Sequence, residues 1–186
     1  MFLQLFFAFS LVVLASSQEC MNNSQVVINI MRGYDKSKLP GGKTVHTDIS
    51  FWVAGVKEMS HSGDSVTVDL YLNLQWKDPG LEFSQYNPCN NKISFTRETL
   101  PPIWQPNGIF VGTTSVEMTT SPLSNVFVLF YENGTVWYNY RAIVKQSCKF
   151  APDRFPLDKS TCSMDFQSFD QSADDVRMNW TEPPIT

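Results

Sequence analysis

Hydrophobic and polar residues alternate strictly through one long segment of the chain. From Val66 to Trp76 every second residue is apolar, and the intervening residues are polar or, at Tyr71, aromatic with a hydroxyl. Alternation of this length predicts a β-strand with one buried face. A second strand is predicted over Val45–Val56, with the turn between the two strands over Glu58–Asp64.

A helical period marks the segment before these strands. Val27, Ile30 and Met31 recur at helical spacing, which predicts a short amphipathic helix. We expect Ser24 to cap its N-terminus and Gly33 to end it.

Two further β-rich runs flank a turn signal. Val126–Tyr131 and Thr135–Val144 lie on either side of Glu132-Asn133-Gly134, and Asn-Gly between such runs favours a hairpin. The remaining segments are short and interrupted by prolines, without a repeat or a linker. The pattern predicts a single all-β domain, either a sandwich or a barrel, that follows a short N-terminal helix.

Composition and the N-terminus indicate an exported globular protein. The 186 residues are 42% hydrophobic and 17% charged, which argues against disorder, and the net charge of −4 argues against nucleic acid as a partner. Met1–Leu14 is almost wholly apolar and small residues follow, which predicts a signal peptide over residues 1–17. No later segment reaches membrane-spanning length, so we expect a soluble domain over residues 18–186. Three glycosylation sequons suit an exported chain: Asn22, Asn133 and Asn179.

The chain contains four cysteines, Cys20, Cys89, Cys148 and Cys162. An even count behind a signal peptide favours disulfides over metal or redox chemistry. A bridge between Cys148 and Cys162 would close a loop and stabilise the fold by about 3 kcal/mol. Whether Cys20 and Cys89 pair with each other stays open.

Enzymatic chemistry finds little support in the residues. The two histidines, His46 and His61, form no zinc pattern and stand in no known spacing to a serine or cysteine nucleophile. No phosphate-binding glycine loop is present. We therefore predict no catalytic residue, no metal site and no cofactor.

The loop between Cys148 and Cys162 carries Phe155, Pro156 and Asp158. With the two cysteines, these residues resemble the signature loop of Cys-loop, or pentameric ligand-gated, neurotransmitter receptors. Further matches follow in the family's order and spacing over Ser24–Trp180. They are Gly33-Tyr34-Asp35-Lys36 with Pro40, Trp76-Lys77-Asp78 with Leu81, Ile103-Trp104-Gln105-Pro106-Asn107, and the segment Cys162–Trp180.

The resemblance implies a short N-terminal helix followed by a ten-strand, immunoglobulin-like β-sandwich that assembles in a ring of five subunits. A small-molecule transmitter would bind between neighbouring subunits, on the extracellular side of the plasma membrane. The family's third principal-face loop, last strands and membrane helices would follow Trp180, so the resemblance implies an incomplete domain. If the 186 residues are the whole product, we expect a secreted protein.

The resemblance also implies ligand-binding residues. On the principal face they are Phe169 and Phe110, although each could instead be a core side chain. On the complementary face they are Tyr71, which could be an ordinary interface tyrosine, and Asn73, where receptors for amino-acid transmitters often carry arginine. The second strand of the predicted hairpin adds Tyr140.

The side on which Tyr140 points stays open, as it does for Tyr138 and Arg141 of the same strand. Four other matched residues are interpreted as structural: Trp76, Asp78, Trp104 and Pro106.

Three functions are compatible with these sequence features. The first is the ligand-binding domain of a transmitter-gated channel subunit. The second is a secreted soluble binder or assembly modulator without channel activity. The third is a secreted adhesion-type sandwich without a small ligand.

Overall fold

The computed structural model describes residues 19–60, 62, 64–151 and 158–185. The predicted signal peptide lies outside the described residues, as do Phe155 and Pro156 of the predicted signature loop.

The helix α1 spans Asn23–Met31. Its N-cap is Asn22, whose side-chain Oδ1 accepts a hydrogen bond from Gln25 N at 2.9 Å. The expectation that Ser24 caps the helix was therefore wrong, because the asparagine two residues earlier already binds the free amide of the first turn. Gly33 follows the helix with a φ of 83°, a conformation that suits glycine at a helix end.

Within the described residues, ten strands follow the helix. They are β1 Val45–Met59, β2 Ser65–Lys77, β3 Lys92–Thr96, β4 Gly108–Val111, β5 Thr113–Met118, β6 Val126–Tyr131, β7 Thr135–Ala151, β8 Lys159–Cys162, β9 Asp165–Ser168 and β10 Val176–Ile185. The predicted strands and hairpin are confirmed, and the strands that form β1 and β7 run further than the alternation indicated. Single 3-10 turns lie at Pro40–Gly42, Pro79–Leu81 and Ser84–Tyr86.

The strands form two sheets. The larger has the order β10-β1-β2-β7-β6-β3, with β5 and β8 also paired to β7, and the smaller consists of β4 and β9. β10 runs parallel to β1, whereas β2 runs antiparallel to both β1 and β7. The core lies between the sheets, as the predicted all-β sandwich requires.

β2 shows the predicted division into two faces, with one exception. Its apolar residues from Val66 to Trp76 are all buried. Tyr71 and Asn73 lie half-buried on the opposite face. Asp69 lies on that face too, yet only 3% of it is exposed, because it is enclosed by two basic side chains described below.

Tyr34 joins the segment after α1 to the sandwich. Its hydroxyl donates to Asp78 Oδ2 at 2.5 Å and accepts from Trp104 N at 3.1 Å. Burial and the bond to Asp78 raise the pKa of Tyr34. Trp104 in turn meets Trp76 edge-on, with ring centroids 6.0 Å apart. These contacts agree with the structural role predicted for Trp76, Trp104 and Asp78.

Two disulfides close the fold. Cys148–Cys162 joins β7 to β8 at a paired position, as the predicted signature loop requires. Cys20–Cys89 holds the chain before α1 against the loop before β3, which answers the question left open by the sequence. Met21 N also donates to Asn87 O at 2.8 Å beside this bridge.

Candidate functional site

The outer face of the large sheet brings together side chains from three adjacent strands. Trp52 of β1 lies opposite Tyr71 of β2, which lies opposite Arg141 of β7. In the next row, Asn73 of β2 lies opposite Asn139 of β7. Because side chains at paired positions lie on the same side of a sheet, these five residues form one surface, named here the β1–β2–β7 face.

Aromatic and cationic groups stack along the first row of this face. The rings of Trp52 and Tyr71 lie 5.0 Å apart with an interplanar angle of 30°. The guanidinium carbon of Arg141 lies 5.5 Å from the centre of the Tyr71 ring. Trp52 remains 49% exposed, so a large aromatic surface at the end of the stack is open to solvent.

A buried carboxylate fixes the arginine of this stack. Asp69 accepts hydrogen bonds from Nε and Nη2 of Arg141, both at 2.8 Å. Nζ of Lys57 lies 3.1 Å from the same carboxylate. Hydrogen bonds from Arg141, aided by Lys57, lower the pKa of Asp69 to about 2 against the opposing effect of burial. The carboxylate also raises the pKa of Arg141, so both partners stay charged at neutral pH.

The second row of the face is polar and neutral. Asn139 Nδ2 donates to Asn73 Oδ1 at 2.7 Å. Asn73 therefore occupies the predicted place on the outer face, and its amide oxygen has a partner on the neighbouring strand. The arginine nearest to it on the same face is Arg141, two residues along β7 from Asn139.

Tyr140 points away from the β1–β2–β7 face. It lies opposite Leu72, a buried residue of β2, and its ring packs edge-on against Tyr138 at 6.0 Å. Burial raises the pKa of both phenols. The structure therefore separates Tyr140 from Tyr71 by the thickness of the sheet, and it is Arg141 that shares the outer face with Tyr71.

Phe169 and Phe110 occupy contrasting environments. Phe169, which directly follows β9, is 74% exposed. Phe110 of β4 is buried, with its ring 5.7 Å from Phe51 and 5.1 Å from Phe166. The ring of Phe169 is thus available to a partner or ligand, whereas that of Phe110 is held in the core.

Hydrogen bonds fix the loop that presents Phe169. Its backbone N donates to Asn107 O at 2.8 Å. The Asn107 side chain donates to Asp170 Oδ2, also at 2.8 Å. Asn107 thus ties the start of β4 to the loop after β9.

Other predicted positions are placed as follows. The three sequon asparagines, Asn22, Asn133 and Asn179, are all exposed. Asp158 is described and half-buried at the end of the signature loop. Across residues 19–60, 62, 64–151 and 158–185 no group of three or more His, Cys, Asp or Glu side chains is arranged to hold a metal ion, and no helix is both long and apolar enough to cross a bilayer.

Sequence reasoning missed Trp52 and Asn139 as members of the face. Pairing the predicted first strand antiparallel with the second places Trp52 opposite Tyr71, so a register argument would have found it. The alternation placed Asp69 on the polar face of β2 but did not predict its burial, since an acid in an alternating strand is ordinarily exposed.

Comparison with known proteins identifies the family of this chain. Residues 23–185 match the family model described as the neurotransmitter-gated ion-channel ligand binding domain. The chain is 35% identical to the acetylcholine-gated chloride channel subunit acc-1 of Caenorhabditis elegans over 169 residues, which cover 90% of this chain and 36% of that protein.

Two further relatives come from the same organism. The probable ligand-gated ion channel 46 is 34% identical over 89% of this chain and 32% of its own length. The serotonin-gated chloride channel mod-1 is 29% identical over 89% of this chain and 34% of its own length. The chain therefore spans about a third of the relatives it matches, and these relatives are channel subunits rather than enzymes. The chain belongs to the family of neurotransmitter-gated ion-channel ligand-binding domains, the extracellular part of pentameric Cys-loop receptor subunits.

Proposed function

We propose that the β1–β2–β7 face forms one half of a transmitter site between neighbouring subunits. The observation behind this proposal is the outward stack of Trp52, Tyr71 and Arg141, which leaves an aromatic surface open to solvent. The exposed ring of Phe169 in a neighbouring subunit would supply the other half. In the whole receptor, closure of this site around ligand would gate an ion pathway formed by parts of the subunit beyond this domain.

The chemistry of the face favours a cationic amine. A ring face attracts a cation by about 0.5–2 kcal/mol. Of the rings on the β1–β2–β7 face, the indole of Trp52 is the most exposed. A carboxylate-bearing transmitter would need a free guanidinium, but Arg141 already binds Asp69 with two nitrogens. The names of two relatives, acetylcholine-gated acc-1 and serotonin-gated mod-1, point to the same class of ligand.

A binding experiment on the secreted chain tests this proposal. Sedimentation velocity would establish its oligomeric state, and calorimetry with tryptophan fluorescence would follow titration with acetylcholine, serotonin and γ-aminobutyric acid. We expect an assembled form to bind one of the two amines in preference to γ-aminobutyric acid. Trp52→Phe should weaken that binding about threefold to tenfold, as expected for a loss of roughly 1 kcal/mol.

The matched control is Trp180→Phe, since Trp180 is also 49% exposed but packs against Phe51, away from Tyr71. Equal loss in the two variants would contradict a specific role for Trp52. Preference for γ-aminobutyric acid would contradict the assignment of an amine.

A further inference from the structure

Asp69 and Arg141 lie in neighbouring rows on the outer face of the large sheet. Strand register pairs Arg141 with Tyr71, whereas Asp69 of β2 is paired with Ile143. The guanidinium nevertheless leaves its own row and donates through Nε and Nη2 to the Asp69 carboxylate, both at 2.8 Å. Arginine uses the same pair of parallel bonds when it binds the carboxylate of a ligand. Asp69 therefore occupies the edge of Arg141 that an amino-acid transmitter would need.

Burial makes Asp69 a strong competitor for this guanidinium. The side chain of Asp69 is 5% exposed and that of Arg141 is 30% exposed, so the arginine is within reach of a ligand while its partner is enclosed. Nζ of Lys57 lies 3.1 Å from the carboxylate oxygen that Arg141 also binds. A ligand carboxylate that took Arg141 would leave Asp69 enclosed with Lys57 alone, and a buried charge that loses a partner is costly.

The other charged side chains nearby do not replace Asp69. Glu117 of β5 lies in the same row as Asp69, one strand beyond β7, and Glu58 and Lys145 lie in the next row. All three side chains are exposed, and exposed ion pairs are weak because water competes for both partners. Among the described residues, Arg141 forms its ion pair with Asp69. The loss of Asp69 would therefore leave the guanidinium open to a carboxylate from solvent.

We propose that Asp69 is a positioning residue that sets the ligand selectivity of the β1–β2–β7 face. By holding Arg141 it excludes amino acids with a free carboxylate and leaves the exposed rings to amines. The inference rests on the proposed function, and in this role Asp69 acts through Arg141 rather than by touching a ligand. Without the Asp69 charge, a zwitterion would place its carboxylate on Arg141 and its amine against the neighbouring ring of Tyr71.

Arginine reactivity tests the first step without any ligand. Phenylglyoxal modifies accessible arginines, and peptide mass mapping would give the rate at each position of the secreted chain. We expect Arg141 to react several times more slowly than the exposed Arg32. Asp69→Asn should raise the rate at Arg141 and leave that at Arg32 unchanged. Equal rates at Arg141 and Arg32 in the natural chain would overturn the proposal even if Asp69→Asn failed to fold.

A selectivity measurement tests the second step. Calorimetry would follow the binding of γ-aminobutyric acid to the natural chain, to Asp69→Asn and to Asp48→Asn. Asp69→Asn should raise the affinity about tenfold or more, as expected for new hydrogen bonds between charged groups. Asp48→Asn makes the same change of charge at an exposed residue of the same sheet face and should give no such gain. Adding Arg141→Met to Asp69→Asn should abolish the gain.

Three results would overturn the proposal. They are no gain in Asp69→Asn, an equal gain in Asp48→Asn, and a gain that survives Arg141→Met. The second would show that net charge, and not Arg141, sets the affinity. The proposed function is judged separately, from the amine preference of the natural chain and from Trp52→Phe. Loss of that preference with a gain in Asp69→Asn would refute the amine site alone.

Discussion

Asn139 and Asn73 are joined by a side-chain hydrogen bond of 2.7 Å between the two central strands of the large sheet. The bond lies one row from the Trp52–Tyr71–Arg141 stack, on the same face. Each amide is half-buried, so the loss of either partner leaves a polar group poorly solvated. The pair therefore links β2 to β7 and keeps this row of the face neutral.

A double-mutant cycle should reveal this coupling. Asn73→Ala and Asn139→Ala should each lower the free energy of unfolding by about 1 kcal/mol, because each leaves one amide unpaired. The double variant should lose little more than either single variant, giving a coupling energy of about 0.5–1 kcal/mol in urea denaturation. Ser50→Ala, next to Asn73 on β1, serves as the control. Additive losses would contradict a direct interaction.

The Asp69 carboxylate should make stability depend on acid. Its folded pKa, about 2, lies below the ordinary value near 4, so its contribution is complete above about pH 5 and is lost as pH falls towards 2. Asp69→Asn should lower the free energy of unfolding by about 2 kcal/mol at pH 7 and flatten its decline between about pH 5 and 2. Urea denaturation across this pH range provides the measurement.

Asp48→Asn provides the matched control for Asp69. Asp48 is exposed on the same side of the large sheet and forms no ion pair with any described residue. Its variant should keep the acid dependence of the natural chain. If Asp69→Asn retained that dependence as well, the ion pairs with Arg141 and Lys57 would contribute little to the fold.

Much of the fold followed from local patterns in the sequence. The alternation from Val66 to Trp76 predicted β2, because a half-buried strand imposes a period of two on its own residues. Asn133-Gly134 predicted the hairpin for a similar reason, since the turn needs a positive φ, which Gly134 adopts at 80°. The Cys148–Cys162 pair rested on resemblance, and the structure confirmed it.

The composition of the β1–β2–β7 face could not be predicted in the same way. The side on which Tyr140 and Arg141 point depends on the register of β7 against β2, which is a long-range property of the sheet. The burial of Asp69 depends on Lys57 and Arg141, which approach from two other strands. Alternation assigns a residue to a face but does not say which neighbours will cover it.

A glycine allows the small sheet to pack. A Cβ added at Gly108 would lie 2.2 Å from Cζ of Phe166, whose ring is held between Phe51 and Phe110. Gly108→Ala should therefore force the ring to move and lower the free energy of unfolding by about 1–3 kcal/mol. Differential scanning calorimetry or urea denaturation would measure the loss.

Two further variants test the cause of this effect. Combining Gly108→Ala with Phe166→Leu should cost less than the sum of the two single changes, because the smaller side chain relieves the clash. Gly55→Ala, where no atom lies within 4 Å of the added Cβ, should be close to neutral. A similar loss at Gly55 and Gly108 would show that strand glycines, rather than contact with Phe166, control stability.

The N-cap and the first glycosylation sequon share one residue, and two substitutions can separate them. Asn22→Ala removes both the cap to Gln25 N and the glycan acceptor, whereas Ser24→Ala removes only the sequon. In protein refolded from bacteria, which carries no glycan, Asn22→Ala should cost about 1 kcal/mol and Ser24→Ala almost nothing. Mass spectrometry of protein expressed through a eukaryotic secretory pathway should find both variants lighter by one glycan. A loss of stability in Ser24→Ala equal to that in Asn22→Ala would instead assign the cap to the hydroxyl, as the sequence alone had suggested.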